Sequence, residues 1–157
     1  MATYLVTGGA GFVGSHLVED LIEKGHQVRV LDNLSTGSRE NVPPDLEFVT
    51  GDITDRETVE RAFENVDGCF HLAAIASVER CHREWLRGHQ VNLTGTINIF
   101  DCARRSRLGR AVPVVYASSA AVYGNPAMSR ISEECPVNPV SGRPASRRSA
   151  KIEITLE

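Results

Sequence analysis

The stretch Thr3-Tyr4-Leu5-Val6-Thr7-Gly8-Gly9-Ala10-Gly11-Phe12-Val13-Gly14 decides the fold of this 157-residue chain. Its first five residues are β-branched, aromatic or aliphatic and stop at a glycine cluster, as in a strand that ends in a tight turn. From Phe12 to Ile22 apolar residues and glycine recur every four positions, which predicts a helix that ends near Gly25. The chain therefore opens with a strand, a glycine turn (residues 8–14) and a helix.

Strand and helix patterns alternate through most of the remaining sequence. A capping box over Thr54–Glu57 predicts the start of a second helix, and helical spacing predicts a long helix over residues 84–107. Such alternation is typical of an α/β fold, here a doubly wound, Rossmann-like parallel sheet of about five strands. Further strands are predicted at 27–31, 46–49, 69–74 and 112–117. The buried side of the second helix is predicted to carry Val59, Ala62, Phe63 and Val66, and that of the long helix Leu93, Ile97, Phe100 and Ala103.

Charge and composition exclude several classes of function. The formal net charge is −3, so no basic excess is present to neutralise a nucleic-acid backbone. No apolar run approaches the roughly 18 residues of a membrane span, and no secretory signal opens the chain. The four cysteines form no C-x-x-C pair, which argues against a zinc site and indicates reduced thiols. We expect a soluble cytoplasmic protein without a metal centre and without nucleic-acid or membrane partners.

The glycine turn has the composition of a dinucleotide-binding turn. Glycines let the backbone bend sharply and approach a pyrophosphate, which the N–H groups at the helix N-terminus then bind. Ser15-His16 follow the last glycine where a P-loop would place lysine, so ATPase or kinase chemistry is disfavoured. Asp32 lies eighteen residues beyond Gly14, where a carboxylate accepts the adenosine ribose hydroxyls and selects NAD over NADP.

Several segments resemble the extended short-chain dehydrogenases/reductases, in particular the NAD-dependent epimerases/dehydratases of nucleotide sugars. They are the glycine turn, Asp32-Asn33-Leu34-Ser35-Thr36-Gly37, Gly51-Asp52-Ile53, His71-Leu72-Ala73-Ala74 and Ala117-Ser118-Ser119-Ala120-Ala121-Val122-Tyr123-Gly124. The resemblance implies that NAD contacts Gly8, Gly11, Phe12, Val13, Gly14, Asp32, Asn33, Ser35, Thr36, Gly37, Asp52, Ile53, Leu72, Ala73, Ala74 and Asn92. It also places the catalytic serine of the family at Ser119.

The catalytic Tyr-x-x-x-Lys of that family is altered here. Its tyrosine and lysine positions hold Arg143 and Arg147. Arginine keeps its proton at any accessible pH, so Arg143 cannot act as a general base. Family members are also longer and carry a C-terminal lobe that binds the nucleotide sugar. The resemblance therefore implies a doubly wound sheet that is truncated after about five strands and lacks the substrate lobe, and we expect this chain to be inactive alone.

The favoured hypothesis is the NAD-binding part of a UDP-sugar 4-epimerase. Residues 1–124 would form the NAD-binding domain, and residues 125–157 a poorly defined segment where the catalytic helix would start. The alternatives are a non-catalytic NAD sensor or scaffold and a degenerate fragment. Within enzymes, a 4,6-dehydratase or a reductase is the next alternative, although Ala120-Ala121 replace the acid pair that a dehydratase needs. The resemblance further implies a homodimer formed through the helix at 84–107.

Overall fold

The computed structural model describes residues 1–105, 109–125 and 130–138. These residues divide into two compact units. The first comprises Met1–Ala74 and Gly95–Ala117, and the second comprises Ile75–Thr94 and the described residues from Ser118 onward. Arg143 and Arg147 lie outside the described residues. The domain boundary predicted after Gly124 stays a prediction.

A five-stranded parallel sheet forms the centre of the first unit, which confirms the predicted fold class. The strands stand in the order β3-β2-β1-β4-β5. β4 ends at His71 rather than Ala74, because its partner β1 ends at Thr7 and turns away at Gly8. The strands are β1 (Thr3–Thr7), β2 (Gln27–Asp32), β3 (Glu47–Thr50), β4 (Gly68–His71) and β5 (Val114–Tyr116).

The strand order reverses direction after β3, and this reversal makes the sheet doubly wound. Successive strands first move outward from β1 to β3, and the chain then returns to place β4 on the other side of β1. Right-handed crossovers therefore put helix α1 (Phe12–Glu23) on one face and helices α2 (Arg56–Ala62) and α5 (Thr96–Arg104) on the other. In space, the two halves of the sheet meet between the neighbouring strands β1 and β4. Open α/β sheets form a crevice at the carboxyl ends of the strands at such a point.

Both faces of the sheet are buried. Side chains alternate between the two faces along each strand, so neighbouring residues such as Leu5 and Val6 pack on opposite faces of the sheet. Both residues are fully buried. The predicted buried residues of α2 and the turn after it, Val59, Ala62, Phe63 and Val66, are confirmed. The core of which Val6 is part contains Val6, Ala10, Val18, Leu21, Val28, Val30 and Val42.

The C-terminus of α1 and the N-terminus of α2 test two capping predictions. α1 ends in a Schellman motif, in which Gly25 has φ +78° and His26 N donates to Leu21 O at 3.0 Å, so the predicted end at Gly25 is confirmed. The predicted cap of α2 at Thr54 is wrong. Asp55 is the N-cap and accepts from Glu57 N at 3.1 Å, because the Thr54 hydroxyl donates to Asp52 instead.

The helix predicted over 84–107 is interrupted. The helical segments here are α3 (Val78–Arg83), α4 (Trp85–His89), a π-helical turn (Gln90–Gly95) and α5. The wider π turn breaks the 3.6-residue spacing assumed for the stripe of Leu93, Ile97, Phe100 and Ala103. Ile97 is exposed, whereas Thr96, Ile99 and Cys102 are buried with Ala103. No helix among the described residues has the length and apolar character of a membrane span.

The four cysteines are free thiols, of which Cys69, Cys81 and Cys102 are buried. Burial raises the pKa of Cys102 to about 11 and raises that of Cys69 well above its ordinary value. The thiolate is the reactive form of cysteine, so these two side chains serve packing rather than chemistry.

Gly14→Ala tests the close contact between α1 and the end of β1. A Cβ at Gly14 would lie 2.2 Å from the Gly8 carbonyl oxygen, so α1 would have to move away from the end of β1. We expect a loss of about 3 kcal/mol in the free energy of unfolding, measured with urea. Gly25→Ala is the control, since its Cβ would meet no atom within 4 Å and only the left-handed backbone is strained, at about 1 kcal/mol. Equal losses in the two variants would contradict this account of Gly14.

Candidate functional site

Three glycines give the turn between β1 and α1 its shape, each for a different reason. Gly8 has φ +72° and starts the bend, and Gly11 N closes the bend with a 3.1 Å bond to Gly8 O. Gly14 lets α1 contact the Gly8 carbonyl. A Cβ on Gly11, in contrast, would meet a single atom within 4 Å, Gly8 O at 3.3 Å. The backbone at Gly11 is therefore open to the close approach of a ligand.

The start of α1 offers backbone donors beside this open space. Ala10 N and Gly11 N are already used, since they donate to Asp32 Oδ2 and to Gly8 O. The first intrahelical bond is Ser15 N to Gly11 O, so the N–H groups of Phe12 and Val13 have no acceptor within the helix. These two N–H groups, at the positive end of the helix dipole, can bind an anion.

Asp32 stands at the end of β2, beside the glycine turn. Its Oδ2 accepts from Ala10 N at 3.0 Å and its Oδ1 accepts from Leu34 N at 2.8 Å. Leu34 has φ +56°, an uncommon conformation that carries the chain sharply away from β2. A carboxylate has about four lone-pair positions, so Asp32 retains capacity for further donors such as ribose hydroxyls.

Two more predicted segments join the glycine turn and Asp32 in the first unit. Asn33 Nδ2 donates to Asp52 Oδ2 at 2.7 Å, which links the segment after β2 to the segment after β3. A Cβ on Gly8 would lie 2.8 Å from Ala73 N, so the segment after β4 packs directly on the turn. The structure thus brings together four of the predicted groups, namely residues 8–14, 32–37, 52–53 and 72–74.

His71 lies behind these segments rather than among exposed groups. It is 1% exposed, with Nδ1 2.7 Å from Thr7 Oγ1 and Nε2 3.0 Å from Thr96 Oγ1. Thr7 Oγ1 also accepts from Ala73 N at 3.2 Å. This buried network ties β1, β4 and α5 together just below the site.

Two predicted site residues, Asn92 and Ser119, belong to the second unit. Asn92 is 2% exposed, and its side chain accepts from Ile75 N at 2.9 Å and donates to Ile75 O at 3.1 Å. Ser119 Oγ accepts from Ala121 N at 3.2 Å and caps the 3₁₀ turn Ala120–Tyr123. Their predicted roles in cofactor binding and catalysis stay predictions.

Two asparagines that the sequence analysis did not select hold site segments in place. Asn41 Nδ2 donates to Ala10 O at 2.9 Å, across 31 residues of chain. Asn98 Nδ2 donates to Ile53 O at 3.0 Å and anchors the segment that contains Asp52. Neither residue belongs to a motif, and only the folded chain places these amides beside their acceptors.

Known proteins with similar sequence and structure carry the same fold. The profile described as the NAD dependent epimerase/dehydratase family matches residues 4–154. A putative UDP-glucose 4-epimerase of Methanocaldococcus jannaschii is 42% identical over 139 residues, 87% of this chain and 45% of that protein. The UDP-glucose 4-epimerase of Thermus thermophilus in complex with NAD matches with a TM-score of 0.89 and 42% identity, over 98% of this chain and 50% of that chain. The UDP-glucose 4-epimerase of Thermotoga maritima with UDP-glucose matches with a TM-score of 0.89 and 35% identity, over 97% of this chain and 50% of that chain.

The chain spans about half the length of these relatives. The family profile, in contrast, matches nearly the whole chain. This chain belongs to the NAD-dependent epimerase/dehydratase family.

Proposed function

We propose that this chain binds NAD at the glycine turn, as the cofactor-binding part of a UDP-sugar 4-epimerase. The observation that carries the proposal is the junction at Ala10, which bonds to the Asp32 carboxylate while Phe12 and Val13, two and three residues further, keep open N–H groups. The diphosphate of a dinucleotide needs such donors, and the adjoining ribose needs such an acceptor. The NAD complex of the Thermus relative supports the same assignment.

NAD would supply hydride acceptance and return at a sugar carbon, and the residues of this chain would bind and orient it. Phe12 and Val13 N–H would hold the diphosphate over the open face of Gly11. Asp32 would hold the adenosine ribose. The remaining predicted contacts of the first unit would line the path of the cofactor along the carboxyl edge of the sheet, at Asn33, Ser35, Thr36, Gly37, Asp52, Ile53, Leu72, Ala73 and Ala74. Asn92 belongs to the second unit, and its contact with NAD stays a prediction.

Selection of NAD over NADP follows from two charged residues, Asp32 at the end of β2 and Arg39 in the loop after it. The Asp32 carboxylate would repel a 2′-phosphate. Arg39 is the basic residue of the loop that follows, and it donates to Val42 O at 2.8 Å and to Pro43 O at 3.1 Å. Its guanidinium carbon also lies 4.7 Å from the ring centroid of Phe48. These contacts hold the Arg39 side chain against the end of its own loop and Phe48 of β3, so it would not compensate for the charge of Asp32.

The substrate class and the location are also part of the proposal. The Thermotoga relative was solved with UDP-glucose, which supports a UDP-sugar as the substrate of the full-length protein. The location that we propose is the cytoplasm, as the sequence analysis expects.

Asp32→Ala tests the ribose assignment. We expect calorimetry to detect NAD binding by the unmodified chain and a loss of about 1 to 3 kcal/mol in the variant, because hydrogen bonds to a charged group are lost. Asp45→Ala is the matched control, an exposed aspartate with no part in the proposed site, and it should bind NAD as the unmodified chain does. NADP should bind more weakly than NAD to the unmodified chain. Unchanged NAD affinity in Asp32→Ala would show that the ribose lies elsewhere.

Catalysis by the chain alone is not expected. Ser119 alone cannot remove a proton from a sugar hydroxyl, and Arg143 in the tyrosine position holds its own proton. We expect no conversion of UDP-glucose to UDP-galactose with NAD present, in an assay where the Thermus enzyme serves as the positive control. Measurable turnover by this chain would contradict the assignment of Arg143 to that position.

Dimerisation is the remaining part of the proposal. Trp85 and Leu86 of α4 are 60% and 69% exposed, and the family resemblance implies an interface on this helical region. We expect a dimer in sedimentation velocity, and a shift to monomer in Trp85→Glu because a charge would be buried at the interface. His82→Glu, at an exposed position of α3, is the control. A monomeric unmodified chain would refute the proposed interface.

A further inference from the structure

Ala10 lies at the centre of the glycine turn, and its two backbone polar groups are bonded to the last residue of β2 and to residues of the loop after β2. Its N–H donates to Asp32 Oδ2 at 3.0 Å. Its carbonyl accepts from Asn41 Nδ2 at 2.9 Å and from Ser38 N at 3.2 Å. Because Ala10 is fully buried, these partners replace water that cannot reach it.

The segment that reaches Ala10 is itself fixed. Asn41 ends the 3₁₀ turn Arg39–Asn41, and its N–H donates to Ser38 O at 3.1 Å. Arg39 then binds the carbonyls that follow the turn. The side-chain amide of Asn41 is therefore presented from an ordered turn, which reduces the entropy lost when it bonds to Ala10.

The approach of this segment to Ala10 is close. A Cβ on Gly37 would lie 2.6 Å from Ala10 O, nearer than a Cβ atom can come to a backbone oxygen. Gly37 thus lets the loop contact the turn, and Asn41 holds it there with a directed bond. At the Ala10 carbonyl, Gly37 therefore permits the close approach and Asn41 supplies the hydrogen bond.

The orientation of Ala10 determines where the next N–H groups point. With its N–H bonded to Asp32 and its carbonyl bonded to Asn41, Ala10 leads through Gly11 into α1, whose first N–H groups, those of Phe12 and Val13, have no acceptor within the helix. We propose that Asn41 is a positioning residue, which aligns these donors with the Asp32 carboxylate by holding Ala10 O and does not itself touch the cofactor. The inference rests on the proposed binding of NAD at this turn.

Asn41→Leu tests this role, because leucine keeps the shape and neutral charge of the side chain and removes the donor. We expect about tenfold weaker NAD binding by calorimetry. In the absence of NAD, we expect at least about tenfold faster amide hydrogen exchange at Ala10 and Gly11, with exchange at Val6 and Val30 in the sheet unchanged. Asn41→Ala should give the same pattern. Glu40→Ala, the exposed neighbour in the same turn, is the control and should change neither quantity.

The outcomes separate this inference from the function on which it rests. An unmodified chain that does not bind NAD refutes the proposed function, and with it the positioning of NAD by Asn41. If the unmodified chain binds NAD and Asn41→Leu binds it equally well, the proposed function survives and the positioning role is refuted. Faster exchange at Val6 and Val30 as well as at Ala10 would also refute it, because that pattern reports a loss of overall stability.

Discussion

The close approach of α1 to the end of β1 is the constraint on which the site depends. Gly14 touches the carbonyl of Gly8, and no side chain could replace its hydrogen without moving the helix. This contact places the first turn of α1 at the carboxyl edge of the sheet. Asp32, at the end of the neighbouring strand β2, lies at the same edge because the strands are parallel and in register. Helix donors and strand carboxylate are therefore neighbours as a result of backbone packing.

The polar side chains around the turn are paired with neighbouring groups before any ligand binds. Asp32 accepts from Ala10 and Leu34, Asn33 donates to Asp52, and Asn41 donates to Ala10. A site ordered in this way loses little conformational entropy on binding, which favours affinity. The buried hydrogen bonds of His71 with Thr7 and Thr96 join β1, β4 and α5 next to the carboxyl ends of these strands.

The parts of this arrangement that the sequence predicts are those encoded by local spacing. The bend at Gly8, the end of α1 at Gly25 and the placement of Asp32 at the end of a strand each follow from a few neighbouring residues. Choices between adjacent residues are harder, as Thr54 and Asp55 show, since both can cap a helix and the bond from Thr54 to Asp52 decides between them. The π turn at Gln90–Gly95 leaves no mark in an apolar pattern that assumes regular spacing. The bond from Asn41 to Ala10 spans 31 residues and depends on the finished fold.

The most direct test of the account is a titration of the isotope-labelled chain with NAD, followed through the backbone amide resonances. The account predicts that the largest shifts occur at Phe12 and Val13, where the diphosphate would accept their hydrogens, and at Leu34 beside Asp32. The amide resonances at the amino-terminal ends of the strands, such as those of Gln27 and Glu47, should not shift. Shifts concentrated at those amino-terminal ends, or no shifts at Phe12 and Val13 with saturating NAD, would contradict the account.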